Sequence, residues 1–512
     1  MTITAPFTPP AASVPTSTRT VRTDRGAVTG IRYEDGTAVF HGIPYAAPPA
    51  DSGRFAPPRP HAPWTGDRDA TVPGPTAPQS ERNLGAIDMA PFFGPGWVRG
   101  EDYLTLTIRS PAPSAGRRLP VLVFVHGGGL VAGSTRGGLY DGAAFARDGV
   151  VLVTVNYRLG IPGFLHLPGA PPNRGLLDVI AALRWVQQNI AGFGGDPDRV
   201  TLGGQSAGGT LVGAVIAAPE SVGLLRRAII QSGSGLGAFT PEQAGRVTRA
   251  AVGALGVAPR ADAFDAVPDD RLVAVAAGLG GLDLRTATAY DPLQGLSPFG
   301  VVLAEQPAHT VAAGRGADLD LLLGTNAEEG NLYLVPSGAY AASTDADVRA
   351  VAARAHPDPD ALVAAYRAAR PQAGPAELRS ALLGDALFGA GTRALTRAHA
   401  AHRAGATYSY LFEWRSHALD GALGAAHATE LPFVFGLGRA LLRGPRALLG
   451  TRPPPADLAG RTHGSWVRFV RTGDPGWRPY TRDHPNTMRI GARWIEQEDV
   501  RGAERRAWEL TP

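Results

Sequence analysis

The sequence predicts an α/β fold: a mostly parallel central sheet flanked by helices, with helical cap insertions. Short apolar, β-branched runs recur along the 512-residue chain, an amphipathic helix separates two of them, and two Ala- and Arg-rich regions interrupt the pattern. The runs are "LPVLVFV" (119–125), "VVLVTVNYR" (150–158), "RVTLGG" (199–204), "RAIIQSG" (227–233), "DLLLG" (320–324) and "TYSYLFEW" (407–414). Their continuous rather than alternating apolarity suits strands buried on both faces, as in a parallel sheet. Between the second and third runs, Leu176, Ile180, Leu183, Val186 and Ile190 recur at helical spacing before Gly192, Gly194 and Gly195. This predicts a crossover helix with a C-terminal stop, and strand, helix, strand in succession is the signature of a doubly wound sheet.

The two interrupting regions, near 235–318 and 336–405, read as helical cap material rather than as a second catalytic unit. We expect a single catalytic domain over 24–512. Residues 1–23, rich in Pro, Thr, Ser and Ala, read as a flexible leader without the apolar segment of a signal peptide. No apolar run approaches the roughly 18 residues of a membrane span.

Composition removes whole classes of chemistry. The 49 basic residues are all Arg, because the sequence contains no Lys, and it contains 0 Cys. A cysteine nucleophile, a disulfide framework, a thiolate metal site, a Schiff-base lysine and a lysine-bearing phosphate loop are thereby excluded. The formal charge of +4 is spread along the chain rather than gathered in a block, so nucleic acid is a poor candidate partner. The expected partner is a small molecule, bound by a cytoplasmic monomer or small homo-oligomer.

Among the remaining nucleophiles, Ser206 in "TLGGQSAGGT" stands out. It follows a predicted strand and precedes a small-residue helix, with Gly204 and Gly208 on either side. A serine on such a turn is pushed outward at the carboxyl edge of the sheet, and the glycines are needed because a β-carbon would crowd the turn. Ala207, opening the helix, could aim its N–H at a developing oxyanion.

A hydroxyl needs a base, and the base an orienting acid. His126 directly follows a buried strand and is expected to hold its loop. His309, His356, His399 and His402 lie in helical stretches where solvated or capping roles are ordinary. His427, in "GAAHATELPFVFG" after the run 407–414, is the best-placed base. Glu328 and Glu329, just past the run 320–324, are the candidate acids, and the order Ser, Glu, His matches hydrolases built on open parallel sheets.

"VFVHGGGLVAG" supplies the remaining part: Gly127, Gly128 and Gly129 can bring consecutive N–H groups to a substrate oxygen. Gly127-x-Gly129-x-x-Ala132 also mimics a dinucleotide fingerprint, with Asp148 about 20 residues on. "GSTRGG" follows, however, where that motif would open a helix.

These segments resemble the type-B carboxylesterase and lipase family of the α/β-hydrolase superfamily, which includes bacterial para-nitrobenzyl esterases and the cholinesterases. The resemblance covers about residues 24–490 and rests on "GIPYAAPP" (42–49), "GRFAPP" (53–58), "EDYLTL" (101–106), "HGGGLVAGS" (126–134), "NYRLGIPGF" (156–164), "FGGDPDRVTLGGQSAGG" (193–209), "AIIQSGS" (228–234), "GTNAEEG" (324–330), "HATELPFVFG" (427–436) and "RTGDPGW" (471–477). It implies Ser206 as nucleophile, Glu329 as acid and His427 as base, with Gly128, Gly129 and Ala207 as oxyanion donors. Ser232 would be a supporting hydroxyl near the histidine and glutamate. Arg54 with Glu101, and Arg158 with Asp178, would be structural ion pairs.

Three positions depart from the family pattern. Tyr103 stands where members usually have Cys, Val179 where they have Gln, and Leu130 where an aromatic follows the glycines; the first fits a disulfide-free cytoplasmic protein. The tryptophan that cholinesterase-like members use for quaternary ammonium groups is not located in this sequence, although Trp97 lies in the general region, and choline esters are therefore not the expected substrates. The implied function is hydrolysis of carboxylic esters to acid and alcohol through an acyl-enzyme, with no metal or cofactor required. An amidase or carbamate hydrolase with the same triad, or an inactive binding scaffold, are the alternatives. The triple-glycine loop further implies room for bulky, even tertiary, alcohols, which Gly128→Val would be expected to remove first.

Overall fold

The computed structural model describes residues 14–50, 53–437 and 444–509. In chain order the strands are β1 (Pro15–Arg22), β2 (Ala27–Tyr33), β3 (Ala38–Pro44), β4 (Asp67–Asp69), β5 (Thr105–Ser110), β6 (Leu119–Val125), β7 (Val151–Val155), β8 (Gly195–Gln205), β9 (Arg227–Gln231), β10 (Asp320–Asn326), β11 (Thr407–Phe412), β12 (Asn486–Ile490) and β13 (Trp494–Glu498). They form one sheet in the order β1-β2-β3-β5-β7-β6-β8-β9-β10-β11-β12-β13, with β4 beside β2. From β7 through β6 and β8 to β12 every neighbouring pair is parallel.

Every strand expected from an apolar run is present, and β6 explains the pattern. Val121, Val123 and Val125 enter one apolar core while Leu122 and Phe124 enter the other. Successive side chains of a strand point to opposite faces, so a strand covered on both sides must be apolar throughout. The helix Arg174–Asn189 crosses between β7 and β8 and buries Leu176, Ile180, Leu183 and Val186, and the turn after it closes at Gly194 with φ +87°.

The antiparallel arm β1-β2-β3-β5 was not expected from the sequence. Its outermost strand, β1, buries only Val21, so it carries no apolar run to betray it. Residues 15–22, assigned to a flexible leader, therefore belong to the sheet, and residues 1–13 lie outside the described region. The expected insertions contain helices Pro241–Leu255 and Asp269–Gly278 in the first, and Asp345–Ala355, Pro359–Ala369, Pro375–Gly384 and Ala390–Ala400 in the second. Among the described residues no helix is long and apolar enough to cross a membrane.

Arg158, just past β7, and Asp178, on the crossover helix, form a fully buried fork. Arg158 Nη2 donates to Asp178 Oδ1 at 2.7 Å and Nε to Oδ2 at 2.9 Å, while Nη1 donates to the Ala56 carbonyl at 2.6 Å. Arg54 does not pair with Glu101. It reaches instead into the first insertion, 3.6 Å from Asp269 and 3.8 Å from Asp265, and donates to the Val267 carbonyl at 2.7 Å; Glu101 is exposed. Removing one charge of a buried pair strands the other. Asp178→Asn is therefore expected to destabilise the fold by about 3–5 kcal/mol, read as a lowered urea midpoint at unchanged slope.

Candidate active site

The parallel strands β6, β8, β9 and β10 all end at one edge of the sheet, and each delivers part of the site there. At the end of β8, Ser206 adopts φ 60° and ψ −127°, a conformation seldom open to residues with a side chain. Its N–H donates to the Gln231 carbonyl at 2.9 Å, and its own carbonyl accepts from Thr210 N–H at 2.9 Å. The glycines around it are sterically required. A β-carbon at Gly204 would stand 2.5 Å from the Gly208 carbonyl oxygen, and one at Gly208 would stand 2.1 Å from that of Val125. The helix Ala207–Ala217 can thus begin directly against β6, with Ala207 N–H in its unpaired first turn.

His427 and Glu329 form the second part, and both are buried. His427 Nδ1 donates to Glu329 Oε2 at 2.5 Å. The other carboxylate oxygen accepts from Asn326 N–H at 2.6 Å and from the Ser232 hydroxyl at 2.6 Å. Glu328 turns away: its carboxylate pairs with Arg415 and accepts from Ala425 N–H at 2.8 Å. The ring of Phe388 stacks on His427 with centroids 4.3 Å apart and planes within 9°. Phe388 lies on a π-helical turn, Asp385–Gly389, between two helices of the second insertion, a local widening that often presents a functional side chain.

The contact between histidine and serine is not closed. His427 Nε2 accepts from the Gln205 amide nitrogen at 3.1 Å, and Tyr333, which lines the same cavity, is held well above its ordinary pKa by burial. Such contacts commonly tighten only when substrate binds. Behind the pair, Glu430 accepts from Asn326 Nδ2 at 2.6 Å and from Gln231 Nε2 at 3.1 Å. Burial, and then the charge of Glu329, push its carboxyl up to about 7.

The loop after β6 forms the third part. Gly128 and Gly129 adopt φ +113° and +65°, open to glycine alone at low cost. Each loop carbonyl is engaged. That of Gly127 accepts from His126 Nδ1 at 2.8 Å, that of Gly128 from Ala132 N–H at 3.1 Å and Arg82 Nη1 at 3.0 Å, and that of Gly129 from the Ser297 hydroxyl at 2.7 Å. In a trans peptide the N–H points opposite to the carbonyl. The Gly128 and Gly129 N–H groups accordingly face away from these partners, and among the described residues neither makes a hydrogen bond. His126 keeps its loop-holding place: burial lowers its pKa to about 4, and it stacks on Tyr157 at 4.6 Å.

Several expectations change. A β-carbon at Gly128 would meet the Ala132 carbonyl oxygen at 2.0 Å, so Gly128→Val would displace the loop and affect all substrates rather than exclude bulky alcohols selectively. Trp97 packs under the Arg99 guanidinium and is not among the cavity-lining residues. Asp148 pairs with Arg147 and His463, and the glycine loop runs into a 3-10 turn, Gly138–Tyr140, with a five-residue helix, Ala143–Arg147, only after it, so no helix opens on the glycines as the dinucleotide fingerprint requires. His399 is fully buried against Thr407 Oγ1 at 2.7 Å rather than solvated. Gln205, Tyr333, Phe388, Glu430 and Arg82 were not singled out. Gln205 occupies the variable place inside the glycine-serine motif, and the others lie on segments whose proximity only the fold creates.

A strand-to-helix serine elbow, a His–Glu pair from later strand ends and a glycine loop define the α/β-hydrolase class. The sequence profile of the carboxylesterase family matches residues 17–505, and the chain belongs to that family. It is 35% identical to phenmedipham hydrolase of Pseudarthrobacter oxydans, over 90% of this chain and 92% of that protein. It is 32% identical to para-nitrobenzyl esterase of Bacillus subtilis, over 95% and 97% of the two chains. Among solved structures, a carboxylesterase of Geobacillus stearothermophilus superposes with a TM-score of 0.82 at 32% identity, covering 96% of this chain and 100% of that one.

The opposite orientations of the two adjacent glutamates predict opposite consequences of neutralising them. Glu329→Gln should lower kcat for a nitrophenyl ester by about 10³–10⁴, whereas Glu328→Gln should leave it nearly unchanged. Steady-state kinetics of the two variants test this, and the reverse result would relocate the acid.

Proposed function

We propose that the protein hydrolyses carboxylic esters to acid and alcohol through an acyl-enzyme on Ser206. The observation that carries this reading is the 2.5 Å contact between buried His427 and Glu329 beside the strained Ser206 turn. His427 Nε2 takes the Ser206 proton as the hydroxyl oxygen attacks the ester carbonyl, after the Gln205 amide yields its place at the ring. Glu329 stays ionised and stabilises the imidazolium, keeping the Nδ1 proton in position. The N–H groups of Gly128, Gly129 and Ala207 receive the developing oxyanion. His427 then protonates the leaving alcohol, and a water activated by the same ring releases the acid.

Met89, Phe92, Leu293, Phe299, Leu332 and Leu387 line the cavity around Ser206 and suit apolar acyl and alcohol groups. We read the chain as a single catalytic unit, supported by one sheet that takes strands from residue 15 to residue 498. A cytoplasmic location belongs to the same reading, supported by Tyr103 at a position where family members usually carry cysteine.

Ser206→Ala is expected to lower kcat by about 10⁴ or more while circular dichroism and thermal unfolding stay as in the wild type. Near-normal turnover in that variant would overturn the mechanism. With all three loop carbonyls tied down away from the donors, a tertiary-alcohol acetate should be hydrolysed measurably, though more slowly than a primary acetate. Product analysis of the two acetates tests this, and complete resistance of the tertiary ester would refute it.

A further inference from the structure

One formal charge intrudes on the apolar cavity. Of the described side chains lining it, Arg82 alone is permanently ionised; His427 is the other titratable cation. Arg82 has no carboxylate within 4.0 Å among the described residues, and desolvation by burial pulls its pKa down. A guanidinium carries five N–H donors in a rigid fork. Among the described residues it finds one acceptor, the Gly128 carbonyl at 3.0 Å from Nη1. Arg82 is half-buried, and most of its donors are left for a ligand or water.

The position of this charge narrows what it can serve. Because Arg82 grips the carbonyl side of the Gly128–Gly129 peptide, it stands opposite the Gly129 N–H and outside the proposed oxyanion position. It also lines an adjoining groove, together with Leu84, Leu296 and Tyr333, which border both spaces. The guanidinium therefore stands where the cavity meets its neighbour, available to a group remote from the reacting carbonyl.

We propose that Arg82 binds a carboxylate carried by the substrate, so that the preferred esters are half-esters of dicarboxylic acids or related anionic esters. The apolar walls accommodate the chain between the ester and the carboxylate, and the guanidinium fork takes the carboxylate in bidentate fashion. This inference rests on the ester-hydrolase reading for its reacting end, but its anion site is separable from catalysis.

The test compares kcat/KM for monomethyl esters of dicarboxylic acids of graded length with methyl esters of monocarboxylic acids of matched length. In the wild type the anionic series should show an optimum length at which it exceeds its neutral partner. Arg82→Gln should lower both series somewhat, because the Gly128 carbonyl loses a donor. It should lower the anionic-to-neutral ratio by a further factor of about ten or more, chiefly through KM. Arg82→Lys should restore part of that ratio. An equal fall of both series in Arg82→Gln, or a wild type that rejects every anionic length, would overturn the proposal.

Calorimetry separates this from catalysis. The Ser206→Ala protein should bind the best half-ester at least tenfold more tightly than the Ser206→Ala, Arg82→Gln protein does. If that difference holds while the wild type turns over no ester, the anion site stands and the hydrolase reading fails. Equal binding by the two proteins removes the anion site whatever the turnover.

Discussion

The arrangement depends on the close approach of the helix Ala207–Ala217 to β6. That approach is possible because Gly208 has no β-carbon to meet the Val125 carbonyl, and it forces the chain at Ser206 into φ 60° and ψ −127°. Such a backbone costs of order 1–3 kcal/mol and persists only where the surroundings over-determine it. Here they do: Gln231 holds the Ser206 N–H, Thr210 holds its carbonyl, and the strands on both sides of β8 are buried beyond their first residues. The same strain that costs stability presents the hydroxyl at the sheet edge and leaves the first helical N–H groups beside it.

Everything else at the site follows from parallel strands ending together. β9 ends at Gln231 and is followed by Ser232; β10 ends at Asn326, three residues before Glu329. Ser232 and the Asn326 N–H converge on one carboxylate oxygen, so the other is left for His427. Glu430, buried one layer deeper, has its carboxyl pushed up to about 7 by burial and then by the Glu329 charge.

Much of this was legible in the sequence where local physics decides. The strands buried on both faces, the crossover helix, the serine elbow and the glycine loop each follow from apolar continuity, helical spacing or glycine at a crowded position. The candidates Ser206, Glu328 or Glu329, and His427 could be proposed as well, because each follows a recognisable strand; the choice of Glu329 over its neighbour came from the family resemblance. β1 was not legible, because an exposed edge strand carries no apolar pattern. The partner of Arg54 was not either, because Asp265 and Asp269 are more than two hundred residues away and meet it only through the first insertion. Tyr333, Phe388 and Arg82 share that difficulty: each reaches the cavity from a segment without a motif, and the folded chain alone brings them together.

The central claim is that one strained serine is the group made reactive by this scaffold. Treating the protein with a fluorophosphonate and mapping the adduct by peptide mass spectrometry tests it most directly. The account predicts a single adduct, on Ser206, that disappears in Ser206→Ala. An adduct on any other residue, or unmodified Ser206 in a preparation whose esterase activity the reagent has abolished, would contradict it.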